Sequence, residues 1–131
     1  MTKHAIAALL LVVAVIKLLP LAGLAGGEVL ARLYGIEVAD PNLELLLRHR
    51  AVLFGLLGGL IAAGAFHRPL RGLAFGGAWA SVISFLVLAA GMEGRNDAIG
   101  RVVTADLVAL AALVVASALA LAERRGRAAP S

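Results

Sequence analysis

The sequence predicts an all-α membrane protein: a bundle of four transmembrane helices, with a short interfacial helix between the first and the second. Three observations carry this reading. First, the 131-residue chain is 62% hydrophobic and only 15% charged, with a mean hydropathy of +0.99. A soluble domain averages about 45–50% apolar and about 25% charged, and a chain this short has too little interior to hide the excess. Second, the apolar residues gather into continuous segments near the about 20 residues needed to cross a bilayer core. Third, these segments do not alternate as barrel strands do. Backbone amides in lipid must be satisfied within the segment, so each one is a helix.

The length fits a single domain, residues 1–131. Its helices are expected at about 5–26, 41–66, 71–91 and 101–123. The first segment is interrupted by Lys17 and ends in small residues after Pro20. Its outline also suits a cleavable signal peptide; Lys17 speaks against a simple apolar core, and three remaining helices would make a thin bundle. Gly23 and Gly27 near Pro20 mark either a packing row or a kinked, irregular end of this helix. Between residues 27 and 42, Leu30, Leu33 and Tyr34 share one helical face, which suits an interfacial helix ended by Gly35. Asp40-Pro41 then reads as an N-cap with proline at the first helical position. The purely apolar part of the second span, 51–66, is too short to cross. Arg48, His49 and Arg50 are therefore expected inside that helix, at the outer membrane edge. The short link 67–71 makes the second and third helices antiparallel neighbours, and the third is free of charge from 72 to 91. The fourth is interrupted by Asp106 and followed by Arg124, Arg125 and Arg127.

The absence of cysteine excludes disulfides, thiolate chemistry and zinc–cysteine sites. A net charge of +4 in such a chain reflects arginines that set orientation, not nucleic-acid binding. Four spans place Lys3, Arg68, Arg71, Arg124, Arg125 and Arg127 on one side, against Arg32, Arg48, Arg50, Arg95 and Arg101 on the other. With Arg48, Arg50 and Arg101 assigned to helices, the bias puts both termini in the cytoplasm.

Ionised side chains in the membrane cost about 2.5–3.5 kcal/mol on insertion scales, so they face the bundle interior or a cavity. Lys17 lies about 10–14 Å from the outer end of its helix, and Asp106 about 6 Å from the outer start of its own. A Lys17–Asp106 pair across the first and fourth helices is therefore feasible. Together Lys17, Arg48, His49, Arg50, Arg101 and Asp106 form a candidate ligand-binding cluster in the outer half, with more bases than acids. Two readings stay open. The cluster either lines a cavity for an anionic group, or it is structural, with arginines reaching to lipid headgroups. No metal or cofactor site is expected. His49 stands alone without the companion ligands a metal or haem would use.

Two rows of small residues are expected to pack helices: Gly55 and Gly59 on the second span, Gly72 and Gly76 on the third. Packing inside the bundle and docking of a partner both suit them. Trp79 falls mid-span and is expected to be a packing residue.

The segments Leu33-Tyr34-Gly35, Pro41-Asn42-Leu43, Leu47-Arg48-His49-Arg50-Ala51-Val52-Leu53-Phe54-Gly55 and Ala105-Asp106-Leu107 give the chain a resemblance. It resembles small bacterial four-helix membrane proteins of the DoxX-like and DUF4345 groups over most of its length. The resemblance implies a bacterial inner-membrane location and no established activity. A phosphopantetheine adenylyltransferase role is excluded: that enzyme is a soluble α/β protein with a His-x-Gly-His signature, and the chain has neither.

The function expected is a binding or transport module whose outer cluster holds an anionic lipid or small solute. The alternative is a structural or accessory subunit that docks a membrane partner, or a second copy, through its small-residue faces. A lipid-acting enzyme would need His49 or Asp106 as base, and no nucleophile–base–orienter pattern accompanies either.

Overall fold

The computed structural model describes residues 1–130, which are helical nearly throughout and contain no strand. Helix α1 (Thr2–Leu18) continues into a 3-10 segment (Leu19–Ala25). Helix α2 (Gly27–Tyr34) is short, and α3 (Pro41–Phe66), α4 (Arg68–Ala90) and α5 (Asp97–Ala128) are long. Four stretches are long and apolar enough to cross a membrane: Thr2–Ala25, Pro41–Phe66, Arg68–Ala90 and Asp97–Ala128. They mark a multi-pass membrane protein.

Local chemistry sets the element ends. Pro20 enters the 3-10 segment at its first turn, where a missing N–H costs nothing. Gly26 follows with φ 132°, a conformation that side chains rarely adopt, and lets α2 fold back. Gly35 ends α2 in the left-handed region at φ 63° and ψ 33°. The Asp40 side chain accepts from Asn42 N at 2.8 Å and caps α3, with Pro41 next. Asn96 caps α5 in the same way, accepting from Ile99 N at 2.8 Å.

Several boundaries differ from expectation: the first helix begins at Thr2 and passes into a 3-10 segment after Leu18. The link expected at 67–71 shrinks to His67, because Pro69 sits in the opening turn of α4, where it is tolerated. Helix α5 runs beyond 101–123 at both ends. The Asn96 cap starts it early. Arg127, four residues after Glu123, donates to it at 2.7 Å and carries the helix past the apolar run.

The spans form a ring. Helix α1 packs on α3 and α5, and α4 packs on the same two. Ile6, Leu10 and Val13 of α1 meet Ile61 of α3, Ala78 and Val82 of α4, and Ala109 and Leu113 of α5 in the core. Large apolar side chains meanwhile cover the outside, among them Leu53, Leu56, Leu73, Val87, Leu88, Val108 and Val115. In water this belt would be an aggregation surface; hydrocarbon is its natural solvent.

Glycines bring the helices together, but of the four expected only Gly55 does so. A Cβ on Gly55 would meet Leu21 Cδ1 at 2.7 Å, so Gly55 does pack against the 3-10 segment. At Gly59, Gly72 and Gly76 a Cβ would meet nothing within 4 Å: these residues face outward. The close contacts come instead from Gly58 against Leu18 Cγ (2.6 Å), and from Gly64 against Ala74. On α4 the inward row is Ala74, Ala78 and Val82. Helix α4 carries small residues on two faces, and apolarity all round conceals which one turns inward.

Candidate functional site

Lys17 lies in register with Ile6, Leu10 and Val13, the buried face of α1. That periodicity, four then three then four residues, leaves its side chain only 2% exposed. Asp106 shares the inward face of α5 with Ala109 and Leu113. The two meet across the α1–α5 contact. Lys17 Nζ donates to both Asp106 oxygens, at 2.9 and 3.0 Å. Lys17 also lies in the last turn of α1, where the helix dipole favours a cation, and its Nζ lies 5.6 Å from the centre of the Phe54 ring.

Arg50 is one turn before Phe54 on α3. Its guanidinium lies 4.5 Å from the Phe54 ring centre and 5.3 Å from that of Tyr34. Arg50 Nη1 donates to Tyr34 Oη at 2.5 Å. Tyr34, the last residue of α2, is itself held in place. Asn96 Nδ2 donates to the carbonyls of Tyr34 and Gly35, at 2.9 and 3.0 Å. The cap of α5 thus fastens the end of α2. Any Cβ at Gly35 would lie 3.0 Å from that same Nδ2, a second reason for glycine there.

These groups line a partly open cavity of ≈ 210 Å³ at the end of the bundle away from the termini. Its apolar wall includes Ile16, Leu33, Phe54, Phe85 and Val102, and Arg101 also lines it. Lys17 and Asp106 cancel one another. Among the described residues neither Arg50 nor Arg101 pairs with a carboxylate. Only one of the five donors of a guanidinium is engaged at Arg50, and by a neutral hydroxyl. The cavity is therefore apolar over most of its surface and carries uncompensated positive charge.

The structure brings together four of the six residues expected in the cluster: Lys17, Arg50, Arg101 and Asp106. Arg48 and His49 do not join them. Both are exposed, and Arg48 lies 3.6 Å from Glu44 along the helix surface. Successive residues on a helix point 100° apart, so only one of this triplet can face the cavity. The spacing of one helical turn places Phe54 on the face of Arg50, and the structure keeps the two together. Sequence reasoning missed Tyr34, whose contact nothing local announces. Trp79 packs as expected, and its Nε1 donates to Ser117 Oγ at 3.0 Å. Among the described residues no three His, Cys, Asp or Glu side chains are grouped to hold a metal ion.

Fold and site together define a four-span membrane bundle with a buried ion pair beside a cation-bearing apolar cavity. No family model matches the chain, and no curated protein or solved structure matches it either.

Proposed function

We propose that the protein is a binding or transport module for an anionic amphiphile, whose carboxylate or phosphate meets Arg50 while its apolar part lies along the cavity wall. One observation carries the reading: Arg50 faces an apolar cavity with most of its donors free and no acidic partner among the described residues. The half-buried guanidinium meets only two aromatic rings and a neutral hydroxyl, and an anion that enters supplies the charge partner it lacks. The Lys17–Asp106 pair contributes dipole but no net charge. The cavity is smaller than the about 300–1,000 Å³ of a typical drug-sized site. It suits an acidic head with a short length of chain, the remainder lying outside against the bilayer.

Native mass spectrometry of protein released from membranes tests this. Arg50→Ala carries one anionic lipid or solute fewer than wild type, and Arg48→Ala carries the same number. An unchanged number in Arg50→Ala would reject the assignment.

The orientation belongs to the same proposal. Lys3, Arg68, Arg71, Arg124, Arg125 and Arg127 gather at the end that holds both termini, and of the five arginines of the other end Arg50 turns into the cavity. This supports cytoplasmic termini in a bacterial inner membrane. The resemblance to DoxX-like and DUF4345 proteins, carried by the segments 33–35, 41–43, 47–55 and 105–107 with Arg48-His49-Arg50 the most distinctive, is proposed on the same footing.

A second reading has its own observation. Gly59, Gly72 and Gly76 face outward with open space beside them. That favours an accessory subunit whose α4 face accepts a partner helix or a second copy. Crosslinking in native membranes would capture a constant partner, and Gly76→Leu would lose it.

A further inference from the structure

The end of the bundle that holds the termini carries a second polar site, unconnected with the cavity above. Arg68 and Arg71 from the first turn of α4, with Glu123, Arg124 and Arg127 from the last turns of α5, line a groove of ≈ 220 Å³. Phe75 supplies part of its apolar wall. Arg68 Nη2 and Arg127 Nη2 both donate to Glu123 Oε1, at 2.6 and 2.7 Å. One carboxylate oxygen is therefore shared by two guanidiniums. Arg71 donates to the carbonyls of Gly64 and Ala65, at 3.3 Å each. It is thereby held against the C-terminal turn of α3, where the helix dipole is negative. Arg124 has no protein acceptor among the described residues. Four cations against one carboxylate leave the groove strongly positive.

Membrane orientation requires basic residues near one side of the spans, but not their convergence. Here guanidiniums from two helices face one groove, and three of them are held in place by protein acceptors. We propose that this groove binds the phosphodiester of an anionic phospholipid headgroup. The guanidinium fork matches phosphate oxygens two at a time, and basic pockets between membrane helices are established sites for such headgroups. The surroundings favour a lipid over free phosphate. Phe75 and Ala120 line the groove one helical turn further into the membrane than Arg71 and Arg124, and both are apolar. They offer a surface for acyl chains that inorganic phosphate would leave unused.

The test is native mass spectrometry of the intact protein from mixed micelles of phosphatidylglycerol and phosphatidylcholine at matched charge of detergent. Wild type retains phosphatidylglycerol in preference. The double variant Arg68→Gln/Arg124→Gln lowers that preference roughly tenfold or more. Arg32→Gln, an exposed arginine on α2 at the other end, leaves it unchanged. Arg124→Gln alone removes no intraprotein bond, so it keeps the test decisive if the double variant does not fold; it lowers the preference severalfold. Equal retention of both lipids by wild type would overturn the proposal, as would an unchanged preference in the arginine variants. Displacement of the lipid by inorganic phosphate at constant ionic strength would also overturn it, in favour of a free-anion site.

Discussion

Lys17 Nζ sits between the two carboxylate oxygens of Asp106, at 2.9 and 3.0 Å, with both side chains almost wholly buried between α1 and α5. The pair joins helices 89 positions apart in the chain. Each charge is tolerated only because the other is present, since removing one partner of a buried pair strands the other.

That dependence sets the first prediction. Asp106→Asn or Lys17→Met lowers unfolding stability in detergent by about 3–5 kcal/mol. The double variant Lys17→Met/Asp106→Leu recovers most of the loss, because no charge is then left uncompensated. A double-mutant cycle by reversible denaturation measures the coupling; additive losses would show that the ions are not mutually dependent.

Tyr34 and Arg50 set the second. Tyr34→Phe keeps the ring beside the guanidinium and removes the hydroxyl that accepts from Nη1. A hydrogen bond to a charged group contributes about 1.5–3 kcal/mol, and the part-buried setting places this one at the low end. Thermal unfolding shows a modest loss. Anion affinity does not fall with it, because the released N–H becomes available to the ligand. A parallel fall in affinity would mean that the hydroxyl itself belongs to the binding site.

Glycine packing sets the third. A side chain at Gly58 collides with Leu18, and the carbonyl of Ala14 lies 3.2 Å from the added Cβ, so Gly58→Leu separates α1 from α3. Overpacking costs about 1–3 kcal/mol or more. Gly72→Leu meets open space and leaves the monomer's unfolding free energy unchanged to within about 0.5 kcal/mol. Equal destabilisation by the two would contradict the packing described.

Much of this fold was legible in the sequence, for physical reasons that differ by element. Span number follows from hydrocarbon thickness, and the start of α3 follows from Asp40-Pro41. The Lys17–Asp106 pair was feasible from depth, because two isolated charges in apolar spans must find each other or a cavity; the structure shows that they find each other. The facing of the small-residue rows was not legible. In water an amphipathic helix shows which side turns inward; in lipid both sides are apolar, so Gly72-Gly76 and Ala74-Ala78 look alike. Arg48 and His49 were grouped with Arg50 because they share its depth, and depth does not distinguish directions around a helix. The clamp from Asn96 to Tyr34 and Gly35 joins residues some sixty positions apart, with no local pattern to mark it.

The central claim is that Arg50 makes the outer cavity selective for an acidic head on an apolar body. It is tested most directly by ligand-dependent thermal stability of the purified protein, comparing decanoate with the uncharged decanol. A ligand at free concentration L that binds only the folded state stabilises it by RT ln(1 + L/Kd), so the unfolding temperature rises further the tighter the ligand binds. The account predicts that decanoate stabilises wild type, that decanol does so far less, and that Arg50→Ala abolishes the difference. Equal stabilisation by the acid and the alcohol, or an undiminished decanoate effect in Arg50→Ala, would contradict it.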